Sequence, residues 1–159
     1  QMDRFLMKEV LTYPSPADET DILERVASGA FERRITHPPI SIRDVMWLQE
    51  AVNAVYVAPV IRQYIVALVG TTRGSGPRPV AGIERHVRVG ASPRGAIALM
   101  KVAQSIALQD GRGYVTPDDV RLLRHPVLRH RLVLTYDALA DDVAPESIID
   151  AVFQAVPTP

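Results

Sequence analysis

Apolar residues recur along most of the chain three and four positions apart, the spacing that places side chains on one face of an α-helix. Four of the predicted helices follow a residue whose hydroxyl can cap the first turn, namely Ser15, Ser41, Ser92 and Thr116. We therefore predict an all-α fold, a small bundle of five or six helices. The predicted helices cover residues 15–29, 41–58, 59–72, 92–110, 116–126 and 145–155.

Evidence for β-structure in the pattern is weak. Residues 3–13 alternate imperfectly between apolar and polar, which suggests a short strand at the N-terminus, and Pro14 and Pro16 would end it. Short extended pieces are also predicted at residues 88–89 and 128–136. We predict loops at residues 30–40, closed by Pro38 and Pro39, and at residues 73–91, which are rich in Gly, Pro and Arg.

Length and composition narrow the class of protein. The chain has 159 residues, no cysteine and a formal net charge of zero, so we expect one domain, or one domain with part of another, and no disulfide or thiolate chemistry. No apolar run approaches the roughly 20 residues that span a bilayer. The first ten residues mix both charge signs and do not form a signal peptide, so we expect a cytoplasmic protein. Because residue 1 is Gln, we interpret the chain as a piece of a longer one.

The zero net charge conceals a strong segregation of charge along the sequence. Residues 73–131 carry 11 basic and four acidic side chains, a net of +7. Residues 132–159 carry five acidic side chains and no basic one. We expect the basic segment to face an anion and the acidic tail to face elsewhere.

Common catalytic motifs are missing from the sequence. The four histidines do not form an HExxH motif, and His125 and His130 are separated by Pro126, so we expect no metal site. There is no GxSxG motif for a serine nucleophile. The glycine-rich residues 70–76 lack the Lys-Ser/Thr pair of a phosphate-binding P-loop, and we interpret them as a connector.

The sharpest local signal is Gly90-Ala91-Ser92-Pro93-Arg94. An arginine in the first turn of a helix is opposed by the positive end of the helix dipole, unless an anion lies nearby. The free N–H groups of the same turn also favour an anion such as phosphate. Physical reasoning alone leaves two interpretations of Arg94 open: part of an anion site, or an exposed side chain lying over a neighbouring residue.

The sequence resembles the carboxyl-terminal part of the MoxR-type AAA+ ATPases. GASPR at residues 90–94 resembles the sensor 2 motif of that family, and YVTPDDV at 114–120 and HRLVL at 130–134 resemble its helical lid. Gln1-Met2-Asp3-Arg4-Phe5 resembles the QxDRF sequence that closes the nucleotide-binding core. The Walker A and Walker B motifs of the family lie upstream of QxDRF and do not occur in this chain.

The resemblance implies specific roles for four residues. Arg94 would be the sensor 2 arginine that contacts the terminal phosphates of ATP, with Ser92 setting the start of its helix and Gly90 permitting the turn. Arg4 would be an arginine finger that reaches the nucleotide of the neighbouring subunit, an interaction worth about 10³–10⁵ in rate in related phosphoryl-transfer systems. The alternative for Arg4 is simple pairing with Asp3 or Glu9.

The resemblance also implies an organisation and a set of partners. Residues 1–14 would be the end of the AAA+ core and residues 15–159 the lid domain. The full-length protein would use ATP and Mg²⁺, form a homo-oligomeric ring, expected to be a hexamer, and remodel or mature partner proteins together with von Willebrand factor A-domain proteins. This chain alone is expected to be inactive as an enzyme and to bind no cofactor.

Three other functions are compatible with parts of the sequence. One is the lid of a magnesium or cobalt chelatase motor, which belongs to the same clade. A second is a helical nucleic-acid-binding module based on the +7 segment, although aromatic stacking residues are scarce between its arginines, so we expect no nucleic-acid partner. A third is a protein-interaction adaptor that docks through the acidic residues 137–150.

Overall fold

The structure is a computed structural model and describes residues 2–30 and 40–159. It divides into two compact units, one formed by residues 2–9 with 49–159 and the other by residues 10–48. The predicted loop with Pro38 and Pro39 lies outside the described residues. The predicted division between residues 14 and 15 stays a prediction.

The unit at residues 10–48 contains helix α1 (Pro16–Ala27) and most of helix α2 (Ile42–Ala54). Both begin as the sequence predicts, because Ser15 and Ser41 each exchange hydrogen bonds with the acid three residues later. These bonds lower the pKa of Asp18 and of Asp44 below the usual value. None of the described residues in this unit is buried. Its apolar stripes therefore form as predicted but stay exposed.

The larger unit has a hydrophobic core between five helices. They are α3 (Pro59–Thr71), α5 (Pro93–Gln109), α6 (Pro117–Leu122), α7 (Arg124–Leu128) and α9 (Pro145–Ala155). Helix α5 packs against α3, α6 and α7, and α9 packs against α3 and α7. Helix α5 is thus the central element. The predicted core positions of α3, namely Ile61, Tyr64, Ile65 and Leu68, are all buried.

Two short helices and a small sheet complete this unit. Helix α4 (Ile83–His86) leads into strand β1 (Val87–Val89), and strand β2 (Val133–Leu134) leads into helix α8 (Tyr136–Ala140). The two strands pair antiparallel, with Val87 opposite Leu134. The extended pieces predicted at residues 88–89 and within 128–136 are therefore present, in shortened form. The predicted all-α bundle is confirmed.

Two sequence predictions were wrong in detail, and two short helices were missed. Residues 3–13 form no strand: Met2–Arg4 is a 3-10 turn, and the segment after it has no regular structure. The single helix predicted over 116–126 is broken at Leu123 into α6 and α7. The break places Pro126 in the first turn of α7, where its missing N–H costs no hydrogen bond. Helices α4 and α8 were not predicted, because four or five residues are too few to show a helical period.

Among the described residues, no helix combines the length and the apolar character needed to cross a membrane.

Candidate functional site

The first turn of α5 is organised by Ser92. This residue is the N-cap, with φ −73° and ψ 172°, and its Oγ accepts a hydrogen bond from the N–H of Arg94 at 3.2 Å. The same hydroxyl donates to Oδ2 of Asp3 at 2.9 Å. Ser92 therefore joins the start of α5 to the N-terminal segment of the chain, in addition to the capping that its sequence position predicts.

Gly90 is required for close packing rather than for a left-handed backbone. Its φ is not among the positive values of the described glycines. A Cβ at this position would lie 2.3 Å from the carbonyl oxygen of Thr72, far inside van der Waals contact. The neighbouring Ala91 N–H donates to Oγ1 of Thr72 at 3.0 Å. Gly90 thus allows the residues that lead into α5 to pack directly against the end of α3.

Arg94 extends from this helix start into a cleft. Its side chain is 56% exposed, and its Nη1 lies 3.8 Å from Oδ2 of Asp3. An ion pair this long and this exposed contributes little to stability. The cleft has a volume of about 350 Å³ and is lined by Asp3, Arg4, Leu6, Arg94, Ile97, Ala98 and Arg131. Arg94 is therefore free to contact an anion that enters the cleft.

Arg4, in the N-terminal segment, lines the same cleft. It ends the 3-10 turn and its side chain is exposed. Within residues 2–30 and 40–159, Arg4 forms no ion pair with Asp3 or with Glu9. The cleft thus brings together the two arginines that the sequence singles out, with Ser92 and its helix N-terminus at one side.

Arg131 was not predicted from the sequence, although it is the most buried charged group of the site. Its side chain is 2% exposed. The guanidinium donates from Nη2 to the carbonyl oxygen of Phe5 at 2.7 Å and from Nη1 to that of Leu6 at 3.2 Å. Its Nε lies 3.4 Å from Oδ1 of Asp3. Burial lowers the pKa of Arg131, and the Asp3 carboxylate acts in the opposite direction.

No sequence signal identifies the partners of Arg131, because they lie about 125 residues earlier in the chain. A glycine in α5, Gly95, lies beside the side chain of Arg131. A Cβ on Gly95 would lie 3.3 Å from Cδ of Arg131 and 3.5 Å from Cδ2 of Leu128. The second glycine of the GASPRG sequence thus leaves room for the arginine stem.

The acidic tail pairs with the basic segment, contrary to the expectation that it would face elsewhere. Asp141 lies 2.8 Å from Arg85, Asp150 lies 2.7 Å from Arg124, and Glu146 lies 3.0 Å from Arg129. Three of the five tail carboxylates are thus occupied. This pairing weakens both the adaptor and the nucleic-acid interpretations, because each needs free charge of one sign.

The described histidines bond to carboxylates or to a backbone carbonyl. His86 and His125 each contact an aspartate, at 2.9 and 2.8 Å. Nε2 of His130 lies 3.2 Å from the carbonyl oxygen of Phe5, which can only accept, so this nitrogen donates. Burial lowers the pKa of His130. In the described ranges, no three His, Cys, Asp or Glu side chains are close enough together to hold a metal ion. His37 is outside those ranges.

Comparison with known proteins gives consistent results. The family model of the AAA lid domain matches residues 81–152. The whole chain is 40% identical to Chaperone MoxR1 of Mycobacterium tuberculosis over 163 residues, which cover 41% of that protein. It is 34% identical over 178 residues to Protein MoxR of Methylorubrum extorquens, covering 99% of this chain and 49% of that protein. The chain thus spans less than half the length of these relatives.

A solved structure has the same fold. It is a crystal structure at 2.00 Å resolution of a protein from Cytophaga hutchinsonii that is named as an ATPase. The TM-score is 0.85 with 28% sequence identity, and the match covers 99% of this chain and 48% of that one. The match therefore includes the segment before α1 and each of the two units, and what it shows is a shared fold.

Proposed function

Because the chain belongs to the MoxR-type AAA+ ATPases and carries their lid domain, we propose that it is the sensor 2 module of a ring-forming motor. In this role Arg94 contacts the terminal phosphates of ATP. The observation that carries the proposal is the position of Arg94, which is exposed in a cleft beside the capped N-terminus of α5.

The chemistry of the cleft suits a phosphate group. The N–H groups of Arg94 and Gly95 are bonded to Ser92, so the start of α5 contributes the positive end of its dipole, and the guanidinium supplies a planar fork of donors. Ser92 and Gly90 act indirectly: Ser92 sets the start of the helix, and Gly90 sets the path of the chain that leads to it. The present anion of the cleft, the Asp3 carboxylate, contacts Arg94 only at 3.8 Å.

Arg4 takes the role of arginine finger in this proposal. Its side chain is exposed and forms no ion pair within the described part of the chain, so its guanidinium can extend toward a neighbouring subunit. In the ring it would approach the ATP of the neighbouring subunit and stabilise the charge that develops on the transferred phosphoryl group. A single chain cannot complete such a site.

The full-length protein supplies the other parts of the motor. AAA+ ATPases use ATP with Mg²⁺ and generally assemble as oligomeric rings, which we propose to be hexamers here. We further propose that the ring works in the cytoplasm, with von Willebrand factor A-domain proteins, to remodel or mature its clients. In agreement with this, one of the relatives is named a chaperone.

The test is an Arg94→Ala substitution in the full-length protein, with Arg94→Lys as the conservative variant. We expect a higher KM for ATP and a lower kcat with Ala, and partial recovery with Lys, because Lys retains the charge but not the fork. Arg88→Ala is the matched control, since Arg88 lies in β1 and does not line the Arg94 cleft. Wild-type turnover and KM in Arg94→Ala would refute the sensor 2 role.

A further inference from the structure

The N-terminal segment is held to the lid by side chains rather than by strand pairing. Two consecutive residues, His130 and Arg131, both donate to the carbonyl oxygen of Phe5. The N–H of Lys8 donates to the carbonyl oxygen of Pro126 at 2.8 Å. All of these lid groups lie in α7 or just after it, so one short part of the lid binds residues 3–8.

Arg131 makes most of these contacts. Besides the carbonyl oxygens of Phe5 and Leu6, it reaches that of Asp3 at 3.4 Å. It also donates to the carbonyl oxygen of Val127, in the last turn of α7. Burial of a charged group is unfavourable unless it is paired and hydrogen-bonded. The side chain is 2% exposed, and in the described structure Asp3 is its carboxylate partner. Both Nη groups donate to carbonyl oxygens of residues 3–6, and Nε faces the Asp3 carboxylate at 3.4 Å.

The same aspartate connects Arg131 to the start of α5. Oδ1 of Asp3 faces Nε of Arg131, while Oδ2 accepts from Ser92 and faces Arg94. The stem of Arg131 also lies against Gly95, one residue after Arg94. A displacement of Arg131 would therefore affect both Arg4, which adjoins Asp3, and the first turn of α5.

We propose that Arg131 is a positioning residue, which fixes the backbone of residues 3–6 on the lid and thereby orients Arg4 and the sensor 2 turn. Its guanidinium contacts carbonyl oxygens and a carboxylate of the chain itself. The assignment of nucleotide roles to Arg4 and Arg94 rests on the proposed function, whereas the attachment of residues 3–8 to the lid does not.

The attachment is tested on the 159-residue chain by amide hydrogen exchange in the variant Arg131→Lys. A lysine keeps the charge but cannot reach several carbonyl oxygens with one planar group. We expect exchange of the Lys8 N–H to rise about tenfold or more, as loss of hydrogen bonds to a charged group implies. The core amides of α5 should keep their protection.

Two further variants make this result interpretable. Arg129→Lys is the matched control: Arg129 is two residues away and 15% exposed, but it pairs with Glu146 and not with the N-terminal segment. It should leave Lys8 exchange unchanged. If Arg131→Lys does not fold, Arg131→Met gives the same test, because it removes every guanidinium donor and leaves no charge to bury. Unchanged Lys8 exchange in Arg131→Lys, or in Arg131→Met where that variant replaces it, would overturn the proposal.

The second readout separates positioning from a general effect on stability. In the full-length protein, Arg131→Lys should lower kcat for ATP hydrolysis when Arg4 is present. It should lower kcat little further in the Arg4→Ala variant, because the Arg4 guanidinium that it would misplace is already absent. Equal reductions in the two backgrounds would refute the link to Arg4. If Arg4→Ala alone keeps wild-type kcat, the finger role in the proposed function fails, and Lys8 exchange still decides the attachment.

Discussion

Leu128 offers the most direct test of how the lid core supports the site. Its side chain is fully buried at the end of α7, and its Cδ2 lies near Gly95 of α5. The backbone carbonyl of Leu128 also accepts the N–H of Arg131 at 2.9 Å. Leu128 therefore joins the helix that carries Arg94 to the residue that holds the N-terminal segment.

We expect Leu128→Ala to lower the free energy of unfolding by about 3–4 kcal/mol. Removal of three buried carbon groups costs about 2.4 kcal/mol in transfer energy, at about 0.8 kcal/mol each. A cavity term adds to this loss. We place the total above the transfer value because the backbone of α5 at Gly95 borders the site and resists collapse into the space. For a chain of this size the loss corresponds to a fall in Tm of about 6–16 °C.

The assay is urea unfolding followed by far-UV circular dichroism, with Leu122→Ala as the matched control. Leu122 ends α6 and is 64% exposed, so the same truncation should cost less than about 1 kcal/mol. Leu128→Met keeps the volume approximately and should cost less than about 1.5 kcal/mol. If Leu128→Ala and Leu122→Ala differ by less than about 1 kcal/mol, Leu128 does not occupy the close-packed position described here.

Two further predictions concern the approach to α5 and the acidic tail. Gly90→Ala should lower the free energy of unfolding by about 1–3 kcal/mol, because the added Cβ would clash with the carbonyl of Thr72. Gly113→Ala is the control, since nothing lies within 4 Å of a Cβ added there. Chemical denaturation of the two variants measures the difference. Burial raises the pKa of Asp150, but the hydrogen bond from Arg124 contributes to a net lowering. The stability that this pair contributes is therefore present above the ordinary pKa of Asp and is lost as the pH falls through the lowered pKa. In urea unfolding from pH 7 to pH 3, the free energy of unfolding should therefore fall less steeply with pH in Asp150→Asn than in the wild type.

Local sequence rules predicted the features of the fold that depend on neighbouring residues. The caps at Ser15, Ser41 and Ser92 and the end of α1 near Gly29 involve groups within four residues of one another, and each is present. The core face of α3 also follows from spacing alone. Such features can be found in a sequence because their partners are fixed by helix geometry.

Features that depend on distant partners could not be predicted in the same way. The alternation in residues 3–13 suggested a strand, but the backbone there bonds to Arg131 and Pro126 instead of to a neighbouring strand. The segregation of charge suggested a free acidic tail, but Asp141 pairs with Arg85 across 56 residues. A linear charge count contains no information about which opposite charges the fold brings together.

The candidate site shows why residue type alone is an incomplete guide to function. Arg94 and Arg131 face the same carboxylate of Asp3, yet their environments differ. Arg131 is buried and its Nη groups donate to backbone carbonyls, so an entering phosphate could displace it only by leaving several carbonyl oxygens without these donors. Arg94 is exposed and has one weak contact, so it can turn to a phosphate at little cost. The fold thus assigns one arginine to structure and leaves the other available to a ligand, and zero net charge is compatible with a binding site for an anion.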